Sequence, residues 1–245
     1  MCDRNYSIDL AMELAAEGNK DAMLEVVIHF INNDDKELLV KNIESILIDL
    51  SALADDGNGY AMRQLGNLYN EGRGVKQDYK TAIDWFGRAA KASDTYAMCN
   101  LGYIYYYGRG AEVDFLKAYK CFAEAAFMKN ANAMYKLGDM YYYGNHVKED
   151  KSIAFFWYEE AENYTCYEYE EASVQYRLGK CYLYGHGVES DLSEAYNYLS
   201  SAEKSLIQQI EDGDPYGIAK LVLPQAKEEF EKVRYMIYNK LRDSD

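Results

Sequence analysis

Proline, positive charge and long apolar runs are all scarce in this chain, and each shortage removes a class of protein. Only Pro215 and Pro224 occur in 245 residues, so little stands in the way of long helices. No run of about 18 apolar residues appears, which removes a membrane-spanning helix. The stretch Met1-Cys2-Asp3-Arg4-Asn5-Tyr6-Ser7 is polar and leads into an amphipathic segment with Asp9, Glu13 and Glu17, so no apolar signal-peptide core is expected. Lysine and arginine number 26 against 41 acids, a net charge of −15. Nucleic acid and anionic membrane both call for a basic face and are not expected as partners, whereas a basic protein or peptide segment would be steered toward the chain. The five cysteines, Cys2, Cys99, Cys121, Cys166 and Cys181, are an odd set without a Cys-x-x-Cys pair. That favours reduced thiols in a cytoplasmic protein over a disulfide framework or a zinc site.

What is present in excess is repetition. The string Leu101-Gly102-Tyr103-Ile104-Tyr105-Tyr106-Tyr107-Gly108-Arg109-Gly110 has close copies at Leu65 to Gly74, Leu137 to His146 and Leu178 to Gly187. Leu65, Leu101 and Leu137 stand 36 residues apart, and Leu178 comes 41 residues later. A period of roughly 20 to 50 residues marks stacked units that bury surface against their neighbours.

Each unit divides into two helices. Helix A carries Ala61, Leu65, Gly66, Leu68 and Tyr69 or their equivalents and stops at a turn such as Gly72-Arg73-Gly74-Val75, where the first glycine suits a left-handed C-cap. The third copy, Gly144-Asn145-His146-Val147, lacks the second glycine. Asp78, Asp114, Asp150 and Asp191 then stand where a carboxylate can accept from the free N–H groups of helix B. Helix B repeats Ala82, Trp85, Phe86 and Ala89 at the i, i+3, i+4, i+7 spacing of a single face. The five residues added before the fourth copy fall within 163–170, giving a longer loop or an extended helix end. Upstream, helices are expected over 7–17, from about Asp21 to an acidic turn at 32–35, and from about Glu37 to Ala54, as degenerate units. Downstream, Asp214-Pro215 has the form of an N-cap and first helical residue, and Pro224 is expected to break the helix begun there. A final helix carries Phe230, Val233 and Ile237 on one face.

The motif Ala-x3-Leu-Gly-x-Leu-Tyr-x2-Gly-x-Gly-Val-x2-Asp-x3-Ala-x2-Trp-Phe-x2-Ala-Ala, as it stands from Ala61 to Ala90, resembles the Sel1-like repeat family, over roughly 51–204 and more weakly over 8–50. The resemblance implies an all-α fold, an α-solenoid of antiparallel helix pairs in a tetratricopeptide-like right-handed superhelix. It also implies that helix A lines a concave face and that the protein acts as a scaffold in complexes. On that basis 1–245 is one repeat domain, with degenerate helices in 1–55, four repeats in 56–204 and capping helices in 205–245. Some secreted relatives carry a disulfide in each repeat at positions this chain does not fill, where Met98 and Ala126 stand nearby.

Turning helix A by about 100° per residue places Arg63, Asn67 and Asn70 opposite the core-facing arc. The same offsets select Tyr103, Tyr106 and Tyr107, then Tyr135, Asp139, Tyr142 and Tyr143, then Tyr176, Lys180 and Tyr184, whereas Tyr105, Tyr141 and Tyr182 fall at the core offset. A tyrosine-lined wall suits protein recognition, because each ring offers apolar area and a hydroxyl at small entropic cost. Asp139 and neighbouring acids would then favour a segment carrying Lys or Arg. The expectation is a non-enzymatic scaffold or adaptor with no cofactor, binding a peptide or protein segment in that groove. The alternatives are an immunity-type protein that neutralises a toxin, a glycan-binding module, and a penicillin-binding-type hydrolase suggested by Ser201-Ala202-Glu203-Lys204, which lacks the partner motifs of that class. His146 and His186 occupy A–B turns of consecutive units, without the acid or thiol ligands a metal site would add.

Overall fold

The computed structural model describes residues 7–32, 36–165, 168–214 and 217–243, and all regular structure among them is helical. The helices are α1 (Ile8–Ala16), α2 (Lys20–Asn32), α3 (Lys36–Asp55), α4 (Gly59–Glu71), α5 (Tyr79–Lys91), α6 (Thr95–Tyr107), α7 (Phe115–Phe127), α8 (Ala131–Tyr143), α9 (Lys151–Tyr164), α10 (Glu168–Tyr184), α11 (Leu192–Glu211) and α12 (Ile218–Arg242). The all-α repeat architecture implied by the sequence is therefore present. The chain forms two compact units, one ending at Cys121 and the other beginning at Phe122. In the first unit α1 through α6 pack in sequence, each on the next, with α4 on α5 as the A–B hairpin of the first full repeat. In the second, α8 pairs with α9 and α10 with α11, and α12 packs on α11 with a lesser contact to α10.

The same local chemistry sets each hairpin. Helix A ends on a left-handed glycine, Gly72, Gly108 or Gly144, at φ 69°, 69° and 70°, whose N–H reaches back to the carbonyl of Leu68, Ile104 or Met140. The aspartate before helix B caps it as expected. Asp78 accepts from Lys80 and Thr81, Asp114 from Lys117, Asp150 from Ser152 and Ile153, and Asp191 from Ser193 and Glu194. Its own N–H donates to the carbonyl of Tyr69, Tyr105, Tyr141 or Tyr182 at 2.9–3.0 Å. The turn is thus tied at both ends.

Helix A and helix B approach closely because the glycine of each Leu-Gly pair has no side chain. A Cβ on Gly66 would lie 2.5 Å from the Phe86 ring, one on Gly138 2.6 Å from the Tyr158 ring, and one on Gly179 2.6 Å from the Leu199 side chain. Phe86, Tyr158 and Leu199 are fully buried there, each worth about 2–3 kcal/mol of transfer free energy. The second glycine of the turn does a different job. A Cβ on Gly110 would lie 2.0 Å from the Cβ of Tyr79, the first residue of α5, and one on Gly187 2.1 Å from the carbonyl oxygen of Lys151, the first residue of α9. In the third turn His146 holds the same left-handed conformation, at φ 70°.

Three expectations are resolved. The helices α4 to α8 have 13 residues each, whereas α9 has 14 and α10 has 17, so helix length absorbs the five inserted residues. Cys166 and Tyr167 of that segment lie outside the described residues, as do 33–35 of the acidic turn. Pro224 does not break the chain. It sits inside α12, where its missing N–H leaves the Lys220 carbonyl without its helical donor, at a cost of about 3 kcal/mol. Ala219, Ala226 and Val233, all fully buried in one cluster with α10 and α11, hold the helix together across it. Pro215 lies outside the described residues. Asp214 adopts φ 41° and caps α12 at a distance, its carboxylate accepting from the N–H groups of Ala219 and Lys220.

Gly138→Ala should lower stability by about 2–3 kcal/mol, because the ring of Tyr158 and the backbone of α9 must give way. Gly87→Ala, in α5 with no atom within 4 Å of the added methyl, should be neutral or stabilising by up to about 1 kcal/mol. Urea denaturation of the two variants checks the contrast, and equal effects would contradict it.

Candidate functional site

Two repeat positions on helix A carry a polar ladder. One precedes the leucine of the Leu-Gly pair, at Gln64, Asn100, Lys136 and Arg177; the other lies two residues after it, at Asn67, Tyr103, Asp139 and Lys180. In the first unit the rungs are neutral amides, with Asn67 donating to Gln64 at 3.0 Å and Asn100 of the next helix A donating to Asn67 at 3.1 Å. In the second unit the same geometry is charged. Lys136 donates to Asp139 Oδ2 at 3.2 Å, and Arg177 of the next helix A grips both oxygens of Asp139 at 2.5 and 2.7 Å.

Asp139 is the centre of that second unit. Tyr158 of helix B also donates to it, at 3.0 Å. Burial by itself would raise its pKa, but Arg177 and Lys136 outweigh burial and hold the carboxyl at about 2. The expectation of Asp139 on an open wall is therefore corrected: it is 4% exposed, and its charge is answered within the chain by two cations. Tyr135 and Tyr176 are corrected in the same way, at 4% and 7% exposed. Tyr135 lies under Arg177, 4.8 Å from its guanidinium, and Tyr176 is covered by α12, its hydroxyl donating to Gln225 at 3.4 Å. The helical offset places these side chains on the predicted arc, but the neighbouring elements close over them.

Tyr142 is half-buried. Its hydroxyl shares a 2.7 Å hydrogen bond with Nδ1 of His186, and the Lys151 ammonium sits 3.5 Å from its ring centre while donating to its carbonyl. Burial raises the Tyr142 pKa. His186, whose pKa is lowered by burial and then by Lys151 and Lys180, is thus a partner of tyrosine, and no cluster of three or more His, Cys, Asp or Glu with metal-binding geometry occurs among the described residues. Lys180 stands over the rings of Tyr142 and Tyr176, at 5.7 and 5.4 Å. Tyr184 bonds to Glu229 of α12.

In the first unit Arg63 is held by Asp94 at 3.0 Å, between the rings of Tyr60 and Tyr96. The side chain of Asn67 belongs to the amide ladder, and the carbonyl of Asn70 accepts from Gln77 at 2.8 Å. Tyr103 stacks on Tyr107, and Tyr106 packs edge-on between Tyr107 and Phe115. The residues that remain open at one repeat position are Tyr107, Tyr143 and Tyr184, at 49%, 60% and 44% exposed. Each is the last residue of its helix A. Ser201 and Lys204 are both exposed on α11, with Ala202 between them buried in the core.

A sequence profile of the Sel1 repeat matches residues 59–94, 95–126, 131–163 and 172–204, more than half of the chain. The chain belongs to the Sel1 repeat family. Sel1 repeats are in general non-enzymatic protein-interaction modules. The fold is shared with a Sel1 repeat protein from Oxalobacter formigenes, 22% identical over 96% of this chain and 100% of that one, with a TM-score of 0.65. It is shared too with c5321, a protective antigen of uropathogenic Escherichia coli displaying an SLR fold, 21% identical over 93% of this chain and 56% of that one, with a TM-score of 0.59. No curated protein sequence matches the chain.

Sequence reasoning missed Lys136, Arg177, Lys151 and Glu229. The first two were legible, since both stand at the repeat position occupied by amides in the first two Sel1 repeats; Glu229 was not, because it comes from a helix outside the period.

Asp139→Asn should destabilise the protein by about 3–5 kcal/mol, since Arg177 and Lys136 would be left buried without their counter-ion. The carboxyl is depressed in the folded state, so its contribution is full above the unfolded value near pH 4 and is lost as pH falls toward about 2. Denaturation midpoints measured from pH 7 down to pH 2 should therefore fall less steeply at the acid end in Asp139→Asn than in wild type.

Proposed function

We propose that this Sel1 repeat chain is a non-enzymatic cytoplasmic adaptor that binds a protein or peptide segment on the tyrosine-bearing face of its A helices. The observation that carries the reading is the recurrence of an exposed tyrosine, Tyr107, Tyr143 and Tyr184, at one position in three successive repeats. The ring projects at the helix end beside the C-cap glycine, and about half of it stays open although Tyr107 stacks on Tyr103 and Tyr184 bonds to Glu229. A large apolar side chain repeated in the open is what an interaction surface requires. The hydroxyls let it tolerate water when the partner is absent.

No helix among the described residues is long and apolar enough to cross a membrane. The cytoplasmic part of the reading is supported by Cys181. Cys181 is a free thiol, and burial pushes it up to about 12, leaving it neutral and unreactive.

The triple variant Tyr107→Ala, Tyr143→Ala, Tyr184→Ala should lose partner capture from native lysate by at least about tenfold, with its helical circular dichroism unchanged. Capture of the same proteins at wild-type yield by the folded variant would overturn the reading.

A further inference from the structure

Among the described residues three acids are buried, Asp49, Asp139 and Asp214. Two of them are answered from within the chain. Asp139 takes donors from Arg177, Lys136 and Tyr158, and Asp214 accepts from the N–H groups of Ala219 and Lys220. Asp49, in α3, is 8% exposed, and its carboxylate meets no donor or cation among the described residues. Burial raises its pKa with nothing set against that shift. A buried carboxylate left without a partner is costly, so its donor has to come from outside the chain.

Asp49 lines an open crevice of about 220 Å³ in the first compact unit. The helices α1, α2 and α3 pack in sequence, and each contributes to the walls. Met12 and Ala15 come from α1, fully buried Val26 from α2, and Ser45, Ile48 and Asp49 from α3. Apolar side chains thus surround one carboxylate, with one hydroxyl a helical turn before it. A cavity of about 150 Å³ takes a benzene-sized ligand, whereas drug-sized ligands occupy about 300 Å³ or more. The crevice therefore has room for a single side chain.

The charge and the walls select which one. A lone carboxylate with a nearby hydroxyl matches the compact ammonium of lysine, with its three donors, better than the five-donor fork of arginine. The methylene stem of lysine also needs apolar surface to lie on, and Met12 and Ile48 stand exposed in the crevice to provide it. The net charge of −15 steers a lysine-bearing partner toward the chain.

We propose that the crevice between α1, α2 and α3 is a binding site for a lysine side chain of a partner protein, its ammonium pairing with Asp49 and its stem lying on Met12, Val26 and Ile48. The site lies in the degenerate N-terminal helices and uses none of the tyrosines of the A-helix face, so it stands or falls apart from them.

The test is methyl NMR of the whole protein, labelled at its isoleucine and methionine methyl groups and titrated with Nα-acetyl-lysine amide. Saturable shifts are expected at Met12 and Ile48, with affinity at least about tenfold weaker for the Nε-acetylated compound and in Asp49→Asn. Asp49→Asn should also unfold at a higher urea concentration than wild type, because it removes a buried charge that has no partner. No shift at Met12 and Ile48, a response that survives Nε-acetylation or Asp49→Asn, or a urea midpoint lowered or unchanged in Asp49→Asn overturns the assignment. Tighter binding of n-butylamine than of the lysine amide overturns the partner protein as the source and transfers the site to a free alkylamine.

Discussion

A hydrogen atom where other residues carry a methyl group sets the geometry of this protein. Gly66, Gly138 and Gly179 each face a large side chain of helix B at a distance no Cβ could share, so the two helices of a repeat meet at one spacing. Once that spacing is fixed, the alanines at 82, 154 and 195 have room for nothing larger and are fully buried. The remaining arc of helix A has fewer partners within its own hairpin, Tyr158 reaching Asp139 and Phe115 meeting Tyr106. It meets the next repeat through the polar ladder, and the exposed tyrosines stand at its end.

The ladder turns a packing requirement into an electrostatic one. In the first unit amides satisfy one another, a solution indifferent to charge. In the second, an aspartate, an arginine and a lysine at the same positions enclose a full ion cluster, which makes removal of any member far more damaging than its absence from the start would have been.

Most of the fold was legible because each repeat restates the same instructions: a C-cap glycine, an N-cap aspartate and a small-large alternation on helix B. The ends of helices were legible for the same reason, since Gly72 or Asp78 acts through its own backbone neighbours. The site was legible only in part. A helical offset assigns Tyr135, Asp139 and Tyr176 to the correct arc of their own helix, but not what Arg177 or Gln225 does from another element. Tyr107, Tyr143 and Tyr184 are exposed, as the helical offset implied, because they stand at the end of a helix beside the C-cap glycine. Pro224 misled for a related reason. Its local penalty is real, and a buried stripe of Ala219, Ala226 and Val233 outside the repeat pattern overrides it.

The second glycine of the A–B turn bears on how such arrays can grow. Gly110 and Gly187 press against the first residue of the helix B before them, Tyr79 and Lys151, so whether that turn may carry a side chain is decided by the preceding repeat. His146 shows that one turn of this chain does carry one. Repeats that look interchangeable in sequence are therefore not free modules. Moved behind α5, the third turn would drive its histidine Cβ into Tyr79, and any duplication or recombination that builds a longer array must carry each turn together with the helix it rests on.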